Sequence, residues 1–561
     1  MVSFSVLFSV LSESLWFHFR QMTPVWASEH GEKAVNGYAI GYSLQPTTHR
    51  EVPAMRTRNV TAPGKLSRRG FLGGVGGAAA ALTSIAAEAP ATSKPSTGGL
   101  PHGAPLRVLP LLVYQIPVRR ERTSWRPYGG LKSREDVAAE ARRIKDELAA
   151  LCGRAEFPVE VLPLAMVGND AEAEAGARAE CDALLVFASG GAQHWLERLA
   201  ASGKPNIWFL RHRSGPFYLW YEIAHWRFLR KNEDTIKEEH MDAGDIVVDE
   251  YDDVLWRLRA LYGLKNARGT TSLAVGGLAA YSEPGQRLGP AHAKDVWGYT
   301  ITPVADAELV AALAAARNDR NVMQKAEAQA AELLAQPGVT LKTERRFVVN
   351  TFLAVHVLKE LMAAAGAANL GVAHCMGGLI GQLDTPPCLA LSLLNDEGYT
   401  AFCHTDYTHT PPGVLLRWIS GKPSFVNNSH FPHHGIVTLA HCAAPRRMNG
   451  KDFEPAEIPT HFESDYGAAT KVEYRKGQAL TVIIPNLTCT KWFAFRAEVL
   501  DSPAYDICRS QMDVTIDGDW RRLLAGMQGF HTVTCYGDYL REVAYALKRT
   551  GIAWENVSKE A

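Results

Sequence analysis

The sequence predicts a mixed α/β protein, with two parallel-sheet domains followed by a β-rich C-terminal domain. From Leu106 onward, short apolar β-like runs alternate with amphipathic helical patterns, the signature of βαβ units and hence of a parallel sheet. The alternation restarts at Thr271, and after His441-Cys442 the pattern becomes more β-like. The expected boundaries are an N-terminal extension over 1–104, domains over 105–265 and 266–430, and a β-rich domain over 431–561.

In the first domain, Leu106 to Ile116 reads as a buried strand, and Ser133 to Leu151 as a helix with a Ser N-cap and Glu135 and Asp136 in its first turn. Val159 to Leu162 is the next strand, stopped by Pro163. Asp182 to Ser189 is a strand running into Gly190-Gly191, followed by a helix over Gln193 to Ala201 and a strand over Asn206 to Leu210. The Trp/Tyr-rich stretch Phe217 to Leu229 is either a core helix or a substrate-facing one; aromatic stripes are more often packing. A strand over Asp245 to Asp249 and a helix from Asp252 to Tyr262, with Gly263 as its stop, complete the unit.

The second domain opens with the strand Thr271 to Val275 and the turn Gly276-Gly277. Neither this pair nor Gly190-Gly191 belongs to a dinucleotide fingerprint or a phosphate loop, so both are expected to make tight strand-to-helix turns. Helices are expected over Asp306 to Ala316, Val322 to Leu334 and Arg345 to Ala365, then a strand over Gly371 to Cys375. Beyond His441-Cys442, Lys471 to Tyr474, Leu480 to Ile484 and Trp492 to Val499 read as strands, and Tyr539 to Arg549 as a closing helix.

The N-terminal hundred residues carry an address. Ser67-Arg68-Arg69-Gly70-Phe71-Leu72 is a twin-arginine motif, followed by a Gly/Ala-rich apolar region to Ala87 and small residues offering cleavage near Ala87 to Thr92. Export to the periplasm or beyond is expected, and Met55 is a natural start for such a signal. No run of eighteen apolar residues follows it, so the mature chain is expected to be soluble.

With 59 Lys+Arg against 59 Asp+Glu, charge gives no reason to propose nucleic acid or an anionic membrane as a partner; a small neutral substrate fits better. Nine cysteines in an exported protein suggest disulfides, but their spacing is not that of a stapled scaffold. Several, notably Cys375, Cys388, Cys403 and Cys442, lie in or beside apolar strand-like runs, so mostly reduced thiols are expected.

Residues of metal-ligating and proton-shuttling type concentrate between His374 and Pro445. The stretch contains Pro387-Cys388-Leu389-Ala390-Leu391-Ser392-Leu393-Leu394-Asn395-Asp396-Glu397-Gly398, Cys403-His404-Thr405-Asp406, Gly421-Lys422-Pro423 and His441-Cys442. If His404 and Asp406 sit on a strand, the period of two puts them on one face, where they can share an ion; the structural alternative is a buried polar pair closing the strand. For His441 a satisfied core imidazole competes with a site role. Asn395-Asp396-Glu397-Gly398 is turn chemistry before it is an acid pair, His409 lies nearby as further imidazole, and His430, His433 and His434 read as a solvated loop.

These segments, with Gly529-Phe530-His531 leading into Tyr536-Gly537-Asp538-Tyr539, resemble in order and spacing the L-fucose isomerase and L-arabinose isomerase superfamily of metal-dependent aldose-ketose isomerases. The resemblance spans most of 105–561 and is strongest after Arg345. It implies two Rossmann-like domains, a β-rich C-terminal domain and a homo-oligomer. It also implies a divalent metal, Mn²⁺ first and Zn²⁺ as the alternative, held by two acids and a C-terminal histidine. Carried onto this chain, the resemblance makes His404, Asp406 and His531 the metal ligands and His404, Asp406 and His441 the catalytic residues. Abstraction of a proton beside a carbonyl needs a base, an acid on the oxygen and a cation for the developing charge, which explains these residue types.

The chain departs from that pattern where it matters. The family motif Cys-Glu-x-Asp reads Cys403-His404-Thr405-Asp406 here. The region expected to hold the first acid reads Cys375-Met376-Gly377-Gly378-Leu379, with Asp384 the nearest carboxylate. Three functions follow: proton transfer on a sugar at an altered metal site, non-catalytic carbohydrate binding on a retained fold, or a different metal chemistry. Metal analysis, sugar binding with and without a chelator, and solvent exchange of a sugar proton separate them.

Overall fold

The computed structural model describes residues 100–232, 236–527, 529 and 531–558, except for the side chains of Cys375 and Met376. The expected twin-arginine signal with its expected cleavage region, and Phe530, lie outside the described residues. The described residues all belong to the unit Thr92–Ala561.

The first parallel sheet consists of β1 (Leu106–Val113), β2 (Val159–Val161), β3 (Ala165–Val167), β4 (Ala183–Ala188), β5 (Asn206–Leu210) and β6 (Ile246–Val248), ordered β2-β1-β4-β5-β6 with β3 beside β1. Its strands are apolar on both faces. Val108, Leu112, Leu185, Phe187, Ile207 and Phe209 pack under the helices Arg134–Arg154 and Tyr251–Ala267, while Leu109, Leu111, Leu184, Val186 and Trp208 pack on the opposite side. This double burial makes parallel strands read as continuous apolar runs. Ser133 caps the first helix, its side chain accepting from Asp136 N in a full capping box. In the Trp/Tyr-rich stretch, Trp220 and Phe228 are buried against Trp208, whereas Tyr221 and Trp226 are exposed.

Gly263 is not a helix stop. The helix continues to Ala267, and Gly263 is required by packing: a Cβ there would lie 2.2 Å from Ile419 Cγ1 and 3.1 Å from Ile419 N. It lets this helix close onto the helix Thr410–Ser420.

The second parallel sheet holds β7 (Thr271–Val275), β8 (Thr300–Val304), then, after the short β9 (Val339–Leu341), β10 (Asn369–Val372) and β11 (Thr400–Cys403), in the order β11-β10-β7-β8. Gly276 and Gly277 turn the chain out of β7 with φ of 78° and 88°, so these glycines serve the turn. The helix Arg345–Ala365 is long and apolar enough to cross a membrane, but 56% of its apolar window is buried inside the fold, and Leu353, Val357, Leu358 and Met362 belong to the core of this sheet.

Two expectations fail in this region. The run from Cys388 is strand-like only in its apolarity; Cys388–Asp396 is a helix, consistent with a Leu/Ala-rich run free of β-branched residues. The strand expected over Gly371 to Cys375 ends at Val372, and Cys375–Leu379 winds as a π-helix.

The C-terminal region is a closed antiparallel barrel of β12 (Phe425–Ser429), β13 (Ile436–His441), β16 (Ala479–Pro485), β17 (Lys491–Asp501), β18 (Ser510–Thr515) and β19 (His531–Tyr536). The path β16-β19-β12-β13-β18-β17 closes because β16 also pairs with β17, and β20 (Ala553–Asn556) adds in parallel to β17. Closure leaves no open edge in the ring. The short β14 (Ala456–Ile458) and β15 (Lys471–Val472) join β9 in a three-stranded sheet. The helix Thr410–Ser420 lies between barrel, second sheet and the helix Tyr251–Ala267, with Val414, Leu415, Leu416 and Ile419 in one core with Phe402, Ile483, Trp492 and Val533. A helix enclosed by three partners is apolar nearly all round, as this one is.

Candidate metal centre

The second sheet delivers its loops at the C-terminal ends of β7, β10 and β11, where open parallel sheets hold their ligands. At the end of β11 the chain leaves strand geometry: His404 has φ of 78°. The bend needs Gly371 on β10, since a Cβ there would lie 2.6 Å from the His404 carbonyl oxygen. Ala279 N donates to Thr405 Oγ1 at 2.7 Å, drawing the loop after β7 onto this bend, and Tyr407 Oη donates to Ser272 Oγ at 3.1 Å. The expected sharing of one strand face by His404 and Asp406 therefore does not occur, because β11 ends at Cys403.

The loop from His404 to His409 and the barrel ends carrying His441 and His531 bring four imidazoles together. Ring centroids are 5.0 Å apart for His409 and His531, 5.5 Å for His404 and His531, 6.2 Å for His404 and His441, and 6.4 Å for His441 and His531. Two sets of ligand atoms result, each within 4.8 Å: Asp406, His409 and His531, all buried, and Cys403, His404 and His441. Of the expected ligands, Asp406 and His531 are grouped and His404 stands in the adjoining set. His409, which the sequence offers only as nearby imidazole, is the third member of the first group.

His409 is 0% exposed, and neither Nδ1 nor Nε2 has a hydrogen-bond partner. Buried polar atoms in native proteins are almost always paired, so an imidazole with both nitrogens bare is a position prepared for something further. Asp406 Oδ1 accepts from Thr408 N at 2.9 Å, which fixes the carboxylate. Burial, reinforced by the other imidazoles, lowers the basicity of the cluster: His404 to about 4 and His441 to about 3, with His531 also held well below its usual value and His409 lowered by burial against the opposing pull of Asp406. Rings held neutral are in the form that binds metal ions. Two imidazoles and a carboxylate fit a first-row divalent cation such as Zn²⁺ and also tolerate Mn²⁺.

The adjoining histidines have defined hydrogen-bond partners. His404 Nε2 lies 3.0 Å from the hydroxyl of Tyr281, which is 59% exposed. His441 Nδ1 accepts from Cys442 N at 3.0 Å, so a neutral His441 carries its proton on Nε2. Asn428 is in register with His531 on the neighbouring strand, and its buried Oδ1 has no partner; paired residues share a sheet face.

No protein-family model matches the chain, and comparison with curated proteins finds no match. The roles of the motif residues must therefore be read from their contacts. Asn395 accepts from Ala401 N at 3.0 Å and donates to Leu391 O and Ala401 O, Asp396 accepts from Arg447 N at 2.7 Å, and Glu397 pairs with Lys359. Gly421 ends its helix with φ of 66°, and Lys422 Nζ donates to Tyr536 O at 2.9 Å and Tyr539 Oη at 3.1 Å. These contacts tie the helices to β11, to one another and, through Lys422, to the barrel. Asp384, the nearest acid to the Gly-rich stretch, accepts from Asn350, Arg346 and Tyr466, and belongs to none of the metal-type groups among the described residues. His433 and His434 are exposed in the β12–β13 turn. A cavity of about 740 Å³ elsewhere is lined by Asp182, Lys265, Asp242 and Lys548, already paired at 2.6 and 2.7 Å.

Proposed function

We propose that this protein is a divalent-metal enzyme that moves a proton at the carbon beside a carbonyl of a neutral polyhydroxy substrate, a reaction of the aldose-ketose isomerase type. The observation that carries the metal assignment is His409, buried with two bare nitrogens beside Asp406 and His531. The isomerase assignment rests on the motif resemblance to the L-fucose and L-arabinose isomerase superfamily, to which two parallel sheets followed by a β-rich domain are consistent support.

In this reading Asp406, His409 and His531 hold the cation, which supplies positive charge where the substrate oxygens gain negative charge. His404, neutral at physiological pH, accepts the proton at the ring nitrogen that Tyr281 leaves open, and the Tyr281 hydroxyl, 3.0 Å from Nε2, orients the ring. His441 donates from Nε2 to the oxygen, its tautomer set by the backbone N–H on Nδ1. Asn428 Oδ1 accepts a substrate hydroxyl. The twin-arginine signal is consistent with export of a folded, metal-loaded chain.

The test is incubation of metal-loaded full-length protein with a panel of aldoses and ketoses in D₂O, read by NMR. Deuterium should enter at the carbon beside the carbonyl, and His404→Ala should lose this while keeping its metal. Absence of exchange with every sugar rejects the isomerase reading. The imidazole-rich donor set favours hydrolytic or redox chemistry as the second reading, which would show turnover without such exchange.

A further inference from the structure

Behind the histidine cluster lies a second group that the proposed reaction does not use. Cys388 begins a helix, Cys442 follows β13, His461 lies in the loop after β14, and Cys508 precedes β18. The ligand atoms of Cys388, Cys442 and His461 lie within 4.8 Å of one another, and the three residues are 2%, 2% and 4% exposed. Cys508 packs against Cys388 and Cys442.

We propose that Cys388, Cys442, Cys508 and His461 form a closed thiolate-rich site for Zn²⁺ or a similarly soft divalent cation, separate from the Asp406–His409–His531 centre. Three sulfurs and one imidazole are a set that tetrahedral Zn²⁺ takes in structural sites. One local feature supports metal over chance packing. His461 Nδ1 lies 3.2 Å from Ser464 Oγ; with Nδ1–H donating there, Nε2 presents its lone pair, as in imidazoles whose outer nitrogen is held by a second group.

A disulfide would use two of the thiols and leave the third thiol and the imidazole without a role, and the eight described cysteines stand in no disulfide. Without metal, Cys388 and burial keep the Cys442 thiol protonated, so loading must release protons. His441 and Cys442 are consecutive, so a cation on Cys442 fixes the end of β13 directly behind His441 and stiffens the proton-handling side of the first centre.

Titration of chelator-stripped full-length protein with Co²⁺ tests the site, because thiolate ligation gives a near-ultraviolet charge-transfer band that imidazole and carboxylate do not. The band should appear in the wild type, persist in Cys403→Ser and His409→Leu, and disappear in Cys442→Ser. In parallel, Zn²⁺ added to the wild type should slow alkylation of Cys388, Cys442 and Cys508, a readout independent of how the variants fold. Co²⁺ binding without the band, a band that survives Cys442→Ser, Zn²⁺ that leaves alkylation unchanged, or a Cys388–Cys442 disulfide in protein isolated without reductant overturns the proposal.

Discussion

His404 and His409 each carry a local cost that packing alone does not recover. His404 holds φ of 78°, a region costing about 1–3 kcal/mol for a non-glycine residue. His409 buries two unpaired nitrogens, a penalty of about 1–3 kcal/mol per unsatisfied group. Strain of both kinds clusters at functional sites. The backbone term can be isolated: His404→Gly should be more stable than His404→Ala by about 1 kcal/mol, since glycine accepts positive φ, while both lose the imidazole. Denaturant unfolding measures the difference; equal stabilities would mean the bend is not strained. Asp406 and His531 were named from the family resemblance, and the fold brings them into one group. His409 was not, because it sits three residues beyond Asp406 in a loop without periodicity, where an Asp-x-x-His spacing was the available signal. Tyr281 comes from a different loop altogether, and only the fold unites it with His404.

At the scale of elements, the contact between the helices Tyr251–Ala267 and Thr410–Ser420 decides where His409 stands, because His409 is the N-cap residue of the second helix. Gly263 allows that contact. Gly263→Ala should destabilise the protein by about 1–3 kcal/mol, the usual cost of overpacking, and weaken metal binding by displacing the helix that carries His409. Thermal unfolding and a metal titration check both; an unchanged melting temperature contradicts the packing argument. The helices and strands of the first domain were readable because their periodicity and caps agree, as at Ser133. The run from Cys388 was misread because a short apolar stretch has no period that separates strand from buried helix. The strand-face argument for His404 and Asp406 failed since the sequence around Cys403 does not show that Gly371, on another strand, admits a bend there.

Across the whole molecule, loops from the second parallel sheet and strand ends from the barrel meet, so the histidine cluster forms only when both are folded. That makes acid a global probe. His404 and His441 fall to about 4 and about 3 in the folded protein from an ordinary 6.5. Below about pH 6.5 the unfolded chain therefore binds protons that the folded chain refuses, and stability falls. For metal-free protein the penalty is absent above that pH, grows as pH drops towards 4 and then 3, and levels off below. A double variant, His404→Gln with His441→Gln, should flatten this part of the curve; an unaltered slope would place the acid sensitivity elsewhere.

The central claim is that Asp406, His409 and His531 hold a divalent cation. Mn²⁺ tests it most directly, because this hard ion disfavours thiolates and so reports the histidine-carboxylate centre alone. Chelator-stripped full-length protein, titrated with Mn²⁺ and followed by the electron paramagnetic resonance of the free ion, should take up one equivalent. His409→Leu, confirmed folded by circular dichroism, should take up none. Equal uptake by His409→Leu and wild type would contradict the account.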